Sequence, residues 1–312
     1  MRSVLRTVAG VAAMGALLGG CGVGASQLGA AALIDGTEIP VEQVHDQLVR
    51  VLAKESPLLR AQLEADHQLG ELSRKIITVR IRHQLLAIAA QRAGLVVDQA
   101  QVNRLIKEVG GAEAASQGTI FDAGSYRQRA KDKLLTAALG RAVLRTSAVT
   151  IDYTTAETRT AAKRRVEELA QAGPKRARQS IDADVRAGKD AELGKRIVAA
   201  DDPIFAATPA FGVAAGTVVA FQLADTQPWV IMVVRNRSDQ GVQPSDHAPN
   251  IDQIDPAVLE AIGLRQLARE GAELGVRLSP RYGVWDPLNL QAVSDDNETS
   301  GFVAPLRLAP SA

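Results

Sequence analysis

The sequence predicts an α+β protein, mostly α, with a helical region, then a small β-rich segment, then a further helix. Three observations carry this. Over Ile76–Ile106, Ile76, Ile77, Val79, Ile81, Leu85, Leu86 and Ile88 recur at spacings of three and four, with Arg80, Arg82, Gln84 and Gln91 mainly between them. That is the period of one buried helical face. At Phe211–Phe221 and Trp229–Arg235 the texture changes to β-rich runs, FGVAAGTVVAF and WVIMVVR, with Gly216 and Gln227-Pro228 as turn signals. Beyond a polar stretch, Asp255-Pro256 opens another helix, with Val258, Leu259, Ile262, Leu267 and Leu274 apolar.

The bulk properties narrow the function. The chain has 312 residues, 46% hydrophobic and 23% charged, enough for one large or two modest domains. Aromatic residues are only 3%, so the core must be built from Ala, Val, Leu and Ile. Lys and Arg number 36 against 35 acidic residues; without Arg2 and Arg6 the balance is 34 against 35, or −1. Such a balance gives no electrostatic footprint for nucleic acid. Cys21 has no partner for a disulfide, and His45, His67, His83 and His247 are scattered without ligand spacing, so no metal is expected. Neither a P-loop, a dinucleotide fingerprint nor G-x-S-x-G occurs, so no cofactor and no serine hydrolase is expected. Glu167 and Glu168, and Asp201 and Asp202, are adjacent pairs, and neighbours on a helix point apart.

Met1–Gly20 reads as a signal peptide. Arg2 and Arg6 form the basic region, and Val8–Leu18 is an apolar run too short for a permanent span. It ends in Leu18-Gly19-Gly20-Cys21, the pattern of a bacterial lipobox, so Cys21 is the expected lipidation site and mature N-terminus. Several acyl chains would hold the protein on the extracytoplasmic face of a membrane. Residues 21–31 form a lipidated tether rich in Gly, Ala and Ser. The fold should begin at Ala31–Ile39, where Asp35-Gly36 marks a tight turn. Pro40 suits the first turn of a helix carrying Val41, Val44, Leu48, Val51 and Leu52. Pro57–Gly70 is a second short helix or a loop.

The helix begun at Ile76 should end at Gly94. Leu95–Val97 is then an extended step, and Asp98 caps a further helix with Val102, Leu105 and Ile106. Gly110–Thr119 is a break, and Tyr126–Leu144 is helical. Ser147–Asp152 is a β-branched boundary. Thr155–Ala172 is a helix ended by Gly173-Pro174, with further helices expected at Lys175–Gly188 and Asp190–Ala200. Residues 239–255 read as a linker, 256–290 as a C-terminal helix and its extension, and 291–312 as a disordered tail.

Helix, Gly, a few apolar residues, Asp cap, helix, together with the opening DGTEIPVEQV, resembles the N-terminal domain of the SurA/PrsA class of bacterial periplasmic chaperones. The closing phrase SPRYGVWDP resembles the C-terminal end of SurA-like lipoproteins, which implies a small α/β unit inserted into the helical domain and a return helix that packs back on it. The resemblance implies a helical chaperone domain over 32–147. Residues 148–238 resemble a parvulin domain in outline. GKDAEL at Gly188–Leu193 has the outline of its helix, and Phe211, Val213, Gly216, Thr217 and Val218, followed by Trp229–Arg235, follow its closing order. Parvulins isomerise prolyl bonds with histidines on the first and last strands. Here VTIDY stands where the first strand's histidine would lie, Val230 follows Trp229, and no histidine occurs between Ser147 and Ser238. The resemblance therefore implies a degenerate parvulin-like domain, and no catalytic residue is nominated.

The expected function is a membrane-anchored, ATP-independent chaperone whose partners are unfolded secreted or envelope proteins. The alternatives are a parvulin-type prolyl isomerase and a lipoprotein scaffold for one envelope partner. Tyr282 and Trp285, conspicuous in a chain so poor in aromatics, could be client contacts or could anchor the C-terminal phrase on the helical domain.

Overall fold

A computed structural model describes residues 29–307. Cys21, the signal peptide and most of the tether lie outside the described residues. The protein is α+β and mostly helical. It opens with a hairpin, β1 (Ala30–Ile34) and β2 (Thr37–Pro40), turned at Asp35-Gly36 with positive φ at both. The helices α1 (Val41–Lys54), α2 (Pro57–Ala65), α3 (Leu69–Arg92), α4 (Gln99–Glu108), α5 (Ala112–Ser116) and α6 (Ala123–Thr146) follow.

Local signals set many of the boundaries. Ser56 caps α2 by accepting from the Leu59 amide at 3.2 Å, and Asp98 caps α4 through the Ala100 amide at 3.0 Å. At the end of α3, Leu95 N donates to Ala90 O and Gly94 N to Gln91 O, which occupies two of the carbonyls the helix leaves without partners. Asp122 and Ser125 form a reciprocal capping box that starts α6 three residues before the expected Tyr126.

From α6 the chain passes directly into β3 (Ala148–Ala156), then α7 (Arg159–Arg186), β4 (Glu192–Val198), the short α8 (Pro203–Ala206), β5 (Thr217–Phe221) and β6 (Trp229–Ser238). After the irregular 239–255 come α9 (Pro256–Leu274), β7 (Val276–Leu278), β8 (Val284–Asp286), β9 (Gln291–Val293) and β10 (Gly301–Pro305). The main sheet is antiparallel throughout, in the order β10-β5-β6-β3-β4. One face carries Val218, Ala220, Trp229, Ile231 and Val233 against Val166, Leu169 and Ile181 of α7. The other carries Val149, Ile151, Val219, Met232 and Val234 against Val143 and Leu144 of α6 and Leu259 and Ile262 of α9. With apolar residues on both faces, β6 has the continuous pattern of a central strand.

Helix α9 lies against α6 at two glycines. A Cβ on Gly140 would overlap the Leu259 carbonyl, and one on Gly263 would overlap the Thr136 carbonyl. The two backbones therefore approach more closely than any side chain allows. Around this crossing α3, α1 and the hairpin build a second core from Ile34, Ile76, Ile77, Ile81, Leu85, Leu86 and Leu267.

Two expectations are corrected. Asp190–Ala200 holds the strand β4 at Glu192–Val198, not a helix. It pairs antiparallel with β3 through Ile197 opposite Val149, so the phrase GKDAEL is not helical. Residues 291–307 are not a disordered tail: β9 pairs with β8, and β10 completes the main sheet beside β5. The chemistry of the α7 kink explains part of this. Gly173 takes φ 73°, and Pro174 lacks the amide that would have bonded the Ala170 carbonyl. Arg307 N fills that position at 2.7 Å, and Leu306 N bonds Gly216 O. Arg159 fixes the approach to β10 by donating to the carbonyls of Thr299 and Asp296, with its guanidinium over the Phe302 and Trp229 rings.

Candidate functional site: an apolar groove over α3 and α6

Helices α3 and α6 run side by side with a cleft between them. Val79, His83 and Leu86 face it from α3, at spacings of four and three. Ser125, Arg129, Asp132 and Thr136 face it from α6 at four, three and four. The cleft is bridged once, where His83 Nδ1 meets Asp132 Oδ2 at 2.9 Å. On one side of the bridge lies a cavity of about 190 Å³, closed by Glu260, Leu264 and Leu267 of α9. On the other side lies one of about 210 Å³, closed by Gln43 and Gln47 of α1.

Two wider recesses join these. One, of about 450 Å³, lies beneath α2 and is lined by Val51, Leu59, Leu63, Leu72, Ile120 and Phe121. The other, of about 500 Å³, runs along Thr78, Val79 and Arg82 toward Gln291 and Val293. Phe121 and Arg129 border all four. Helix α2 has no buried residue, and its Leu58 is 81% exposed. An amphipathic helix normally hides such a face; here part of it overhangs an open recess.

The floor of this groove is held from α1. Lys54 Nζ donates to the carbonyls of Ser116, Thr119 and Phe121. Gln47 Nε2 donates to Ile120 O at 3.0 Å, and Arg50 pairs with Asp122 at 3.0 Å. Residues 47, 50 and 54 share one helical face, and that face fixes the 116–122 loop, which sets Phe121. The ring is 5% exposed, meets Tyr126 edge-on and lies 4.8 Å beneath the Arg129 guanidinium.

The electrostatics follow from these contacts. The hydrogen bond to Asp132 raises the His83 pKa above its ordinary value, against the opposing pull of burial and of Lys131 and Arg80. Burial, with some help from Arg50, lowers the Arg80 pKa. Arg82 is lowered chiefly by burial and donates to the Leu290 and Asn289 carbonyls at 2.8 and 2.7 Å. Burial likewise takes Arg265 down to about 10 while it donates to Leu288 O. Arg82 and Arg265 thus tie residues 288–290 to α3 and α9. Buried Asp286 finishes that tie by accepting from the amides of Leu288, Asn289 and Ser300.

Of the residues singled out in the sequence, Tyr282 packs in the core beside α3 and borders none of the four recesses, which sets its ring apart from the groove. Trp285 is half-buried against the same core and borders a shallow recess beside Gly275 and Gly283, apart from the α3–α6 groove. His83 is the histidine that meets a carboxylate, yet no hydroxyl or thiol of the described residues hydrogen-bonds it. No group of three or more His, Cys, Asp and Glu able to hold a metal occurs among the described residues, and no described helix is long and apolar enough to cross a membrane. Sequence reasoning passed over Phe121, Arg129 and Asp132. The one local signal was Phe121 itself, an aromatic just after the break at Gly110–Thr119 in a chain with few. No family model and no curated protein matches the chain.

Proposed function

We propose that this protein is a membrane-anchored extracytoplasmic chaperone that holds unfolded or partly folded secreted and envelope proteins without ATP. One observation carries the reading: an open apolar groove floored by Phe121, with Val79, Ile120, Leu63 and Leu72 along it and the uncovered helix α2 at its side. A surface of this kind gains free energy from any apolar segment it removes from water, at about 25 cal/mol per Å² before association costs. Its affinity is weak and its choice of partner broad. The lipobox at Leu18–Cys21 supplies the anchor, on a side of the membrane where ATP is not at hand. The parvulin-like stretch carries no histidine between Ser147 and Ser238, and the residue below α7 at the VTIDY position is Asp152, tied to Arg178 and Arg235. Prolyl isomerisation therefore lacks its expected polar centre.

The test uses the soluble chain from Gly22, which retains every described residue. Light scattering of a denatured client should fall as the chain is added, while cis/trans relaxation of a proline peptide stays at its thermal rate. Undiminished scattering would move the assignment to a dedicated scaffold; accelerated relaxation would move it to an isomerase.

A further inference from the structure

Arg129 gives the groove a chemical preference. Its side chain is exposed on α6 at the point where the four recesses meet, and it makes no hydrogen bond or ion pair with any described residue. The other charges that line the two central cavities are already engaged. Arg80 donates to Gln43 and Gln47, Arg82 to two carbonyls, and Lys133 pairs with Glu260 at 3.3 Å. Asp132 accepts from Gln128 and is bonded to His83. The central cavities therefore set four fixed cations, Arg80, Arg82, Arg129 and Lys133, against two carboxylates, Asp132 and Glu260. Arg129 is the one whose donors are all open. A guanidinium fixed over an aromatic ring presents a planar fork suited to a carboxylate.

Resting on the chaperone reading, we infer that the groove takes an extended polypeptide segment in which an apolar or aromatic side chain stands beside a carboxylate. The apolar side chain covers the Phe121 floor between Val79 and Leu63, and the carboxylate reaches Arg129. A lysine at the same place meets the excess of cations, so acidic segments bind better than basic ones of equal hydrophobicity.

The experiment measures fluorescence anisotropy of three labelled peptides added to the chain from Gly22. They are identical except for Glu, Gln or Lys beside a central Phe-Leu pair. The Glu peptide should bind about fivefold more tightly than the Gln peptide, the size of an ion pair at a part-exposed site, and the Lys peptide most weakly. Arg129→Gln should bring the Glu and Gln peptides together, and Arg129→Glu should reverse the order, with thermal melting showing that each variant remains folded. Equal binding of the three peptides by a chain that still suppresses aggregation overturns this inference and leaves the chaperone reading standing. No peptide binding with no suppression removes both. Arg129-dependent binding to anionic lipid vesicles, without discrimination among peptides, also overturns it, because the cation would then serve a membrane surface.

Discussion

Asp132 stabilises the charged form of His83, and the consequence for stability has a definite sign. A histidine whose pKa is raised in the folded state contributes stability below the unfolded value, near 6.5, and loses it as pH rises through the higher folded value. The protein should therefore lose melting temperature as pH climbs above about 6.5 in part because of this pair. The His83→Gln variant should show a flatter dependence across the same window. A variant that follows the wild-type curve would mean that the pair contributes nothing. The side chain is 45% exposed, so the effect is small. Neither this pair nor the Arg129–Phe121 stack was legible in the sequence. His83 and Asp132 are 49 residues apart, and each alone looks like a solvated charge on a helix. Local residues were legible where their partner was local: Asp98 precedes its helix and bonds an amide two residues on.

At the scale of elements, the contact of α6 with α9 depends on two positions without side chains. Gly140→Ala should gain up to about 1 kcal/mol of helix propensity. It forces the new methyl into the Leu259 carbonyl, for which overpacking costs of about 3 kcal/mol are usual, so net destabilisation follows. Denaturant unfolding of Gly140→Ala and Gly263→Ala should each show a lower midpoint, and an unchanged midpoint in both would contradict the close crossing. Strand β10 makes a second prediction. Deletion of residues 301–312 bares the long edge of β5, frees the Ala170 carbonyl and uncovers Trp229, whose ring stacks 5.6 Å from Phe302. The truncated chain should melt at lower temperature and self-associate; an equally stable monomer would show that β10 is dispensable. The sequence showed α4 and α9 because each has an apolar face and an Asp cap, and it showed α3 from Ile76 onward by its apolar face but missed the start at Leu69, where no side chain caps the helix. It hid β4, whose only buried residue is Ile197, so no alternation marks it. It hid β10 because the strand GFVAP acquires its partner only when β5, some eighty residues earlier, reaches the same sheet edge.

At the scale of the molecule, α6 and α9 serve two layers at once. One side of them covers the main sheet through Leu144, Leu259 and Ile262. The other joins α3 in the core through Leu135, Leu139 and Leu267. The groove sits on that second core, and its floor is fixed by α1 rather than by the sheet. Segments of a partner chain should consequently meet the protein along α2, α3 and α6 and leave the sheet unit untouched. Site-specific photo-crosslinking measures this directly. A photoreactive residue is placed at Leu59 or Gln128, which border the groove, and at Ile204 or Leu223, which are 69% and 60% exposed on the sheet unit. With an unfolded client, adducts should form from Leu59 and Gln128, disappear when the client is folded, and be absent from Ile204 and Leu223. Adducts from the sheet positions, or none from the groove, would contradict the central claim that the α2–α3–α6 groove holds unfolded chains.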